Sequence, residues 1–472
     1  MKIQAWMATV VALTLLSRTP AVAQAETVES PAESQATGSP AEESPNSVNI
    51  RKSQDNPQLF QELLARTVER VPALTRVASQ DKGFEALLPA TLIKPIESVE
   101  GIHILTLDFG AGPGDFAECY VYQDALDMAG GLMSLSDHLF GVIEQTYGEL
   151  EIKGIAGLDA AARGMVPTLS LSWIYRAKGN ESTGGSVAGQ TKHHIATKDG
   201  HSLYCHSTSP GFDAAFKGLF ESLVDTATFS GGAEVDPYYR DISLVSVGTQ
   251  VVGIARSFHR IDEDGDIERR ESVSMLIPVD QSTLQVQDSE TMEYSTLTGN
   301  LMAKIEVEAS DGRLTTHLNL NQGEEGWAVS GTFEGKDLSA DLGPKELRSD
   351  FGQRLDLLRF LETAEADAEL KMSDWTAEMD PTTFQESRWT FRGRDDDRFK
   401  LDFALGPLSM SGVLDSQGTL LTVSIPVGAT QFEIRRVAAE GNPMHPTTLA
   451  TAEDSNESTE PEGPETGEGR GK

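Results

Sequence analysis

The sequence predicts an α+β protein in two parts: an N-terminal domain of antiparallel strands with helices, then a mainly antiparallel β domain with one helical stretch. Three observations carry this prediction. Strand-like segments recur along the 472 residues, Asp-Gly turns separate several of them, and helical periodicity is confined to a few segments. We place the domains at residues 57–230 and 236–438.

The first 25 residues have the pattern of a secretory signal peptide. Lys2 precedes an apolar run from Ala5 to Leu16, and the small residues Ala21, Ala23 and Ala25 mark the cleavage region. The run is shorter than the ~20 apolar residues of a membrane-spanning helix. We therefore expect a soluble protein, exported to the periplasm or the extracellular space and not membrane-spanning.

Composition marks both ends of the folded region. Residues 26–56 are rich in Pro, Glu and Ser, and residues 439–472 form an acidic stretch with few large apolar side chains. Such segments bury too little apolar surface to offset their ordering entropy. We expect a disordered spacer and a disordered tail.

The charge excludes one class of partner. Against 73 acidic residues there are 38 basic ones, which gives a formal net charge of −35. Such a charge repels nucleic acid and anionic lipid and favours solubility. We expect no nucleic-acid partner.

The first domain alternates strands with amphipathic helices. A helical pattern covers Pro57–Val71, and Asp124 is a candidate cap for a helix with Leu132, Leu135, Leu139 and Val142 on one face. A second helix starts near Phe212 and buries Phe216, Leu219, Phe220 and Leu223. The predicted strands are Ile102–Phe109, Phe116–Tyr122, Leu150–Ile155, Leu169–Arg176, Lys192–Thr197 and His201–His206.

The sequence of the second domain predicts hairpins around one helix. A two-residue turn at Asp311-Gly312 sets Ala309 opposite Leu314, Val307 opposite Thr316 and Ile305 opposite Leu318, with Glu306, Glu308, Thr315 and His317 on the other face. Other strand pairs flank Gly335-Lys336, Asp395–Asp397 and Ser416–Gly418, and the helical stretch is Lys345–Leu370. We expect an antiparallel sheet curved around that helix.

A Gly-rich segment is the first candidate site. Leu105–Gly114 resembles the first motif of the S-adenosylmethionine methyltransferases, a strand ending in Asp108 before several glycines. That chemistry requires a helix directly after the glycines, whereas Phe116–Tyr122 alternates like a strand. We interpret the segment as a hairpin loop and predict no cofactor.

Histidines and acidic residues give two candidate metal sites. A turn at Asp199-Gly200 places His193 opposite His206, and the two rings are a candidate metal pair, but zinc needs at least three protein ligands. Asp262–Asp266 begins like an EF-hand loop, yet Ile267 and Val273 stand where Gly and Glu are required. Ordinary hairpins are favoured at both places, with weak calcium binding the alternative at the acidic one.

The two cysteines, Cys119 and Cys205, are the third candidate site. In an oxidising compartment an isolated pair favours a disulfide. The alternatives are two separate buried thiols, or metal binding by Cys205 beside His194.

Two functional hypotheses remain open. The order of elements in residues 83–229, ending with strand Ser202–His206 and helix Phe212–Leu223, resembles PsbP-like domains of exported proteins, which implies an accessory or binding module. The hairpins of the second domain resemble lipoprotein-carrier half-barrels. We favour an exported, non-enzymatic protein that binds a protein partner or an apolar ligand. The rival is a secreted hydrolase or metal-dependent enzyme with its site in the first domain, although hydrolase motifs are missing from the sequence.

Overall fold

The computed structural model describes residues 57–446, except 82, 113, 182, 184, 231–236 and 428–429. The predicted signal peptide, the predicted spacer up to residue 56 and the tail from residue 447 lie outside the described residues.

The described chain is predominantly antiparallel β structure with four helices. The helices are α1 (Pro57–Leu64), α2 (Met128–Tyr147), α3 (Asp213–Thr226) and α4 (Asp350–Thr363). The strands of the first half are β1 (Thr75–Ala78), β2 (Phe84–Leu88), β3 (Thr91–Leu92), β4 (Glu97–Val99), β5 (Ile102–Asp108), β6 (Ala117–Tyr122), β7 (Leu150–Arg163), β8 (Val166–Ala177), β9 (Val187–Lys198), β10 (His201–Ser207) and β11 (Thr228–Phe229).

The strands of the second half are longer on average, and α4 interrupts them once. They are β12 (Tyr239–Val247), β13 (Gln250–Ile261), β14 (Ile267–Pro278), β15 (Leu284–Ser295), β16 (Leu301–Ser310), β17 (Arg313–Gly323), β18 (Gly326–Phe333), β19 (Lys336–Gly343), β20 (Glu369–Asp374), β21 (Gln385–Asp395), β22 (Arg398–Leu405), β23 (Leu408–Leu414), β24 (Leu420–Val427) and β25 (Thr430–Gly441).

Three sheets organise these strands. Strands β1, β2 and β11 form a small sheet, and an eight-stranded sheet runs β3-β5-β6-β10-β9-β8-β7 with β4 also paired to β5. The third sheet has 14 strands in the order β19 down to β12, then β25 down to β20. Its first and last strands, β12 and β25, are therefore neighbours in its middle.

Helices α2 and α3 cover opposite faces of the eight-stranded sheet. On α3 the predicted residues Phe216, Leu219, Phe220 and Leu223 are buried, so this prediction is confirmed. For α2 the predicted cap is wrong. The helix begins at Met128 after Asp127, because the amide of Leu126 donates to Ser202 Oγ at 2.7 Å and holds the preceding segment against β10. Its buried face includes Phe140 and Ile143, while Val142 is exposed.

Two further helices are shorter than predicted. Helix α1 ends at Leu64 rather than Val71. Helix α4 starts after Ser349, whose side chain accepts a hydrogen bond from the amide of Gly352, and Leu370 belongs to strand β20. The stretch Lys345–Leu370 therefore contains one helix, irregular segments on either side of it and the first two residues of β20.

The 14-stranded sheet has an inner face, which we define by its contact with α4. Leu357 and Leu361 of the helix pack in one cluster with Val273, Met275 and other inner-face residues. The outer face packs against the first half of the chain: Leu276 and Val286 share a core cluster with Leu132 and Trp173. The amide of Ile155 also donates to the carbonyl of Gln281 at 2.8 Å. One of the hydrophobic clusters therefore contains buried residues of both halves.

The Asp311-Gly312 hairpin corrects a predicted register. Ala309 pairs with Leu314 as predicted, but Glu308 pairs with Thr316, so the other two predicted pairs are wrong by one residue. Thr315 is the extra residue of this bulge, and its hydroxyl donates to the carbonyl of Glu308 at 3.1 Å. A smaller correction concerns β25, which continues past residue 438 to Gly441.

Candidate functional site

A cleft of about 530 Å³ lies between the two halves of the chain. Its first wall comes from the start of α2, the β7–β8 connection and the β9–β10 turn. Its second wall is the outer face of strands β12 to β16. Met128, Ile242 and Ile254 of the lining also belong to the hydrophobic cluster that both halves share, so the cleft lies beside the junction of the halves.

Strand register sets the charged groups of the second wall in rows. Arg256 lies opposite Ser272, and two residues further along β13 Phe258 lies opposite Arg270. The next outward-facing pair is Arg260 and Glu268. Because side chains alternate between the two faces of a strand, all of these groups share the outer face.

One carboxylate on this wall, that of Glu268, forms ion pairs with two guanidinium groups. Arg260 Nη2 lies 2.5 Å from Glu268 Oε2, and Arg270 Nε lies 3.1 Å from Glu268 Oε1. The guanidinium of Arg270 also lies 5.7 Å from the ring centroid of Phe258, within cation–π range. Beside this group, Arg256 Nε donates to Ser272 Oγ at 2.7 Å.

A second carboxylate of the cleft joins the two halves. Asp288 on β15 accepts a hydrogen bond from the amide of Gly130, in the first turn of α2, at 2.8 Å. Its other oxygen accepts from Ser274 Oγ at 2.6 Å. Burial raises the pKa of Asp288 to about 6, against the lowering effect of these hydrogen bonds. Asp288 therefore caps α2, the role that the sequence analysis gives to Asp124.

The inner face of the same strands carries a buried ion network. We define it by eight residues that are 1–7 % exposed in their side chains: Arg269, Glu271, Glu293, Lys304, Glu306, Asp350, Arg354 and Asp374. Lys304 Nζ lies 2.6 Å from Glu306 Oε1, and Arg354 Nη2 lies 2.9 Å from Asp350 Oδ2. Arg269 pairs with Glu271 on its own strand.

The ion network fastens distant segments onto strands β14 to β16. Glu293 accepts from the amide of Asp350 at the start of α4 at 2.9 Å, and Glu306 accepts from the amide of Ala377 at 2.8 Å. Lys304 donates to the carbonyl of Trp375 at 3.1 Å. Burial favours the neutral amine of Lys304, but Glu306 and Glu293 outweigh it and hold its pKa above its ordinary value. We assign this network to stability, since its groups are engaged with one another and with backbone.

The histidine pair is where the sequence places it. His193 lies opposite His206, and Cys205 lies opposite His194. His193 Nδ1 is 2.7 Å from Tyr204 Oη and its Nε2 is 3.0 Å from Thr191 Oγ1. Burial lowers its pKa well below the ordinary value. Both nitrogens therefore contact hydroxyl groups, and the metal site at His193 and His206 stays a prediction.

The Cys119–Cys205 disulfide is present. The two residues are directly opposed on β6 and β10, with Cα atoms 4.1 Å apart. Both side chains are fully buried, on the face of the sheet that α3 covers. The disulfide prediction is confirmed.

The two loop motifs are hairpin connections. Strands β5 and β6 pair directly, with Leu107 opposite Ala117, and Asp108 accepts from the amide of Gly110 at 2.8 Å. The Gly-rich segment thus precedes a strand, as predicted. In the acidic loop, one oxygen of Asp262 accepts from the amides of Asp264 and Asp266 at 3.0 and 2.9 Å.

Two further features concern metal binding and membrane spanning. Among the described residues, no group of three or more His, Cys, Asp or Glu side chains is placed to hold a metal ion. In the same residues no helix combines the length and the apolar character needed to cross a membrane.

Comparison with known proteins gives distant structural neighbours. No family model matches the chain, and no curated protein matches it. A β-barrel-like protein of the domain of unknown function DUF1849 from Brucella abortus is 11% identical, with a TM-score of 0.36 over 44% of this chain and 99% of its own. CyanoP, the PsbP protein of Synechocystis sp. PCC 6803, is 12% identical, with a TM-score of 0.23 over 36% of this chain and 99% of its own.

A third neighbour is a DUF1089-family protein from Pseudomonas aeruginosa, 14% identical, with a TM-score of 0.18 over 41% of this chain and 93% of its own. The neighbours include a PsbP protein, the family that the order of elements in the first half resembles. At these scores the likenesses carry no argument about activity, ligand or partner.

Sequence reasoning missed the cleft, although one signal for its second wall was present. In β13 the residues Arg256, Phe258 and Arg260 recur at every second position, and in β14 Glu268, Arg270 and Ser272 do the same. Such alternation predicts one polar face on two adjacent strands. The first wall of the cleft is distant in sequence, and no local pattern points to it.

Proposed function

We propose that this chain is an exported, non-catalytic binding protein of the cell envelope or the extracellular space. In this proposal residues 57–230 are one domain, the chain from residue 236 to the end of β25 at Gly441 is the other, and the ligand occupies the cleft between them. The cleft is the observation that carries the proposal. Its volume of about 530 Å³ lies in the range of small-molecule sites, which favour domain boundaries.

The lining of the cleft favours binding over catalysis. Apolar side chains come from both walls, among them Met128, Met165, Phe258 and Val307. Burial raises the pKa of Asp288 to about 6, but Asp288 uses one oxygen for the amide of Gly130 and the other for a hydroxyl. A carboxylate held in this way positions a helix and is poorly placed to exchange a proton with a ligand.

Occupancy of the cleft can be measured with a neutral fluorescent probe, N-phenyl-1-naphthylamine. Val307 is a half-buried lining residue, so Val307→Trp places an indole in the cleft. The matched control is Ser409→Trp on β23, an exposed strand position outside the cleft. We expect one probe site per chain, weakened at least about tenfold by Val307→Trp and unchanged by Ser409→Trp.

Two results contradict the proposal. One is the absence of saturable probe binding by the folded wild-type protein. The other is equal binding by the wild-type and Val307→Trp proteins, because the probe would then occupy another surface. Circular dichroism spectra and unfolding temperatures of all three proteins show that any loss of binding is local.

A further inference from the structure

We propose that the cleft takes a small amphiphilic anion, a molecule with one anionic head group on an apolar body. The inference rests on the proposed binding function and adds the chemical class of the ligand to it. Three features of the second wall carry it: three guanidinium groups on one face, the engagement of several lining carboxylates with other partners, and an aromatic ring between the arginines.

The first two guanidinium groups belong to a triad with one carboxylate. Arg260 and Arg270 both pair with Glu268, so two cations share one carboxylate. The side chain of Glu268 is only 3% exposed, whereas those of Arg260 and Arg270 are 28% and 38% exposed. The carboxylate lies beneath its partners, and the guanidinium groups face the cleft.

Arg256 adds a third guanidinium at the centre of the wall. It lies on β13 two residues before Phe258 and on the same face of the strand, and its Nε donates to Ser272 Oγ. That bond restricts the plane of the guanidinium. A planar fork of donors matches carboxylate, sulfate and phosphate groups better than a single ammonium does.

Two carboxylates of the lining have partners of their own. Asp288 is engaged by Gly130 and Ser274. Glu271 pairs with Arg269 in the buried network on the inner face.

Three of the remaining carboxylates lie on the rim or point inward. Asp127 and Asp199 are exposed, where solvent screens their charge. Asp241 accepts from the hydroxyl of Tyr239 at 2.8 Å. Glu290 stays on the wall. It lies on β15 opposite Ser272 of β14, so strand β14 separates it from Arg256 on β13.

The apolar body of the ligand has a defined place. Phe258 is half-buried between Arg256 and Arg260 on the same face of β13, and Val307 continues the wall on β16. Met128 and Met165 face them from the first half. Methionine side chains adapt to varied apolar shapes, so the cleft suits a flexible chain attached to the head group.

Decanoate and 1-decanol test the inference, because they share a chain length and differ in charge. By titration calorimetry at neutral pH we expect decanoate to bind at least about tenfold more tightly than decanol. Arg256→Gln and Arg270→Gln should each weaken decanoate about tenfold and leave decanol unchanged. Arg388→Gln is the control, since Arg388 pairs with Glu369 on the surface outside the cleft.

The outcomes separate this inference from the proposed function. Equal affinities for decanoate and decanol contradict an anionic head group, and so do equal losses of affinity for both in Arg256→Gln. Binding of the neutral probe would still support the cleft as a binding site. Failure of the neutral probe to bind overturns both. Retained binding of N-phenyl-1-naphthylamine by each glutamine variant shows that its cleft is folded.

Discussion

Replacing Asp288 tests the junction of the two halves. Asp288 on β15 is the acceptor for the amide of Gly130 at the start of α2, and burial raises its pKa from 3.8 to about 6. The folded state therefore prefers the protonated acid. Stability from this group is fully present below about pH 4 and is lost as the pH rises through about 6.

The pKa shift sets the size of the effect. A shift of about two units corresponds to about 3 kcal/mol at most. Asp288 is only half-buried, so solvent screening reduces the expected range to about 1–3 kcal/mol. Asp288→Asn keeps an acceptor for Gly130 without the charge. We expect its free energy of unfolding, relative to wild type, to increase by this amount between pH 4 and pH 7.5.

Urea unfolding followed by tryptophan fluorescence at several pH values measures this difference. Asp288→Ala removes the acceptor and should cost about 1 kcal/mol at pH 4. Asp124→Asn is the control, because Asp124 is exposed and precedes the helix without capping it. Parallel pH profiles for the wild-type and Asp288→Asn proteins would refute the reasoning.

Three other predictions concern stability and processing. Lys304→Met should lower the free energy of unfolding by about 3–5 kcal/mol, because it leaves buried carboxylates unpaired; adding Glu306→Leu should recover part of the loss in urea unfolding. Removing the disulfide with Cys119→Ala and Cys205→Ala should cost about 2–4 kcal/mol, and equal unfolding midpoints would contradict this. N-terminal sequencing of protein from the native host should start at Gln24 or Glu26, and full-length protein in the cytoplasm would contradict export.

Local turn chemistry explains what the sequence predicts well. Asp199 and Gly200 adopt positive φ angles of 49° and 76°, which a two-residue hairpin turn requires. The turn fixes the register of β9 and β10, and with it the pairing of His193 with His206. Burial of α3 is also local, since its apolar residues recur with the helical period.

The bulge at Thr315 explains one failure of the sequence prediction. An uninterrupted register pairs apolar residues of β16 and β17 and assigns Glu306 to a polar face. The extra residue changes the pairing beyond Ala309. On β16 the network residues Lys304 and Glu306 are buried, whereas Ile305 and Val307 are only half-buried. Alternation alone cannot identify the face that becomes buried when both faces are covered by other parts of the chain.

Strand β14 shows how a charged segment can be buried on one face and line a cleft on the other. Four consecutive charged residues suggest a segment exposed to solvent: Glu268, Arg269, Arg270 and Glu271. In the strand, however, their side chains alternate between the two faces. Arg269 points into the ion network with a side chain 5% exposed, while Arg270 is 38% exposed and faces the cleft.

Two adjacent arginines should therefore have separable effects. Arg269→Gln leaves Glu271 without its partner in a buried site, and should lower the free energy of unfolding by about 3–5 kcal/mol. Arg270→Gln leaves Glu268 paired with Arg260, and should change unfolding by less than about 1 kcal/mol while weakening decanoate binding. Urea unfolding and calorimetry on both variants test this division. If Arg270→Gln proved as destabilising as Arg269→Gln, the outer arginines would belong to the structural network, and the case for an anion site would fall with them.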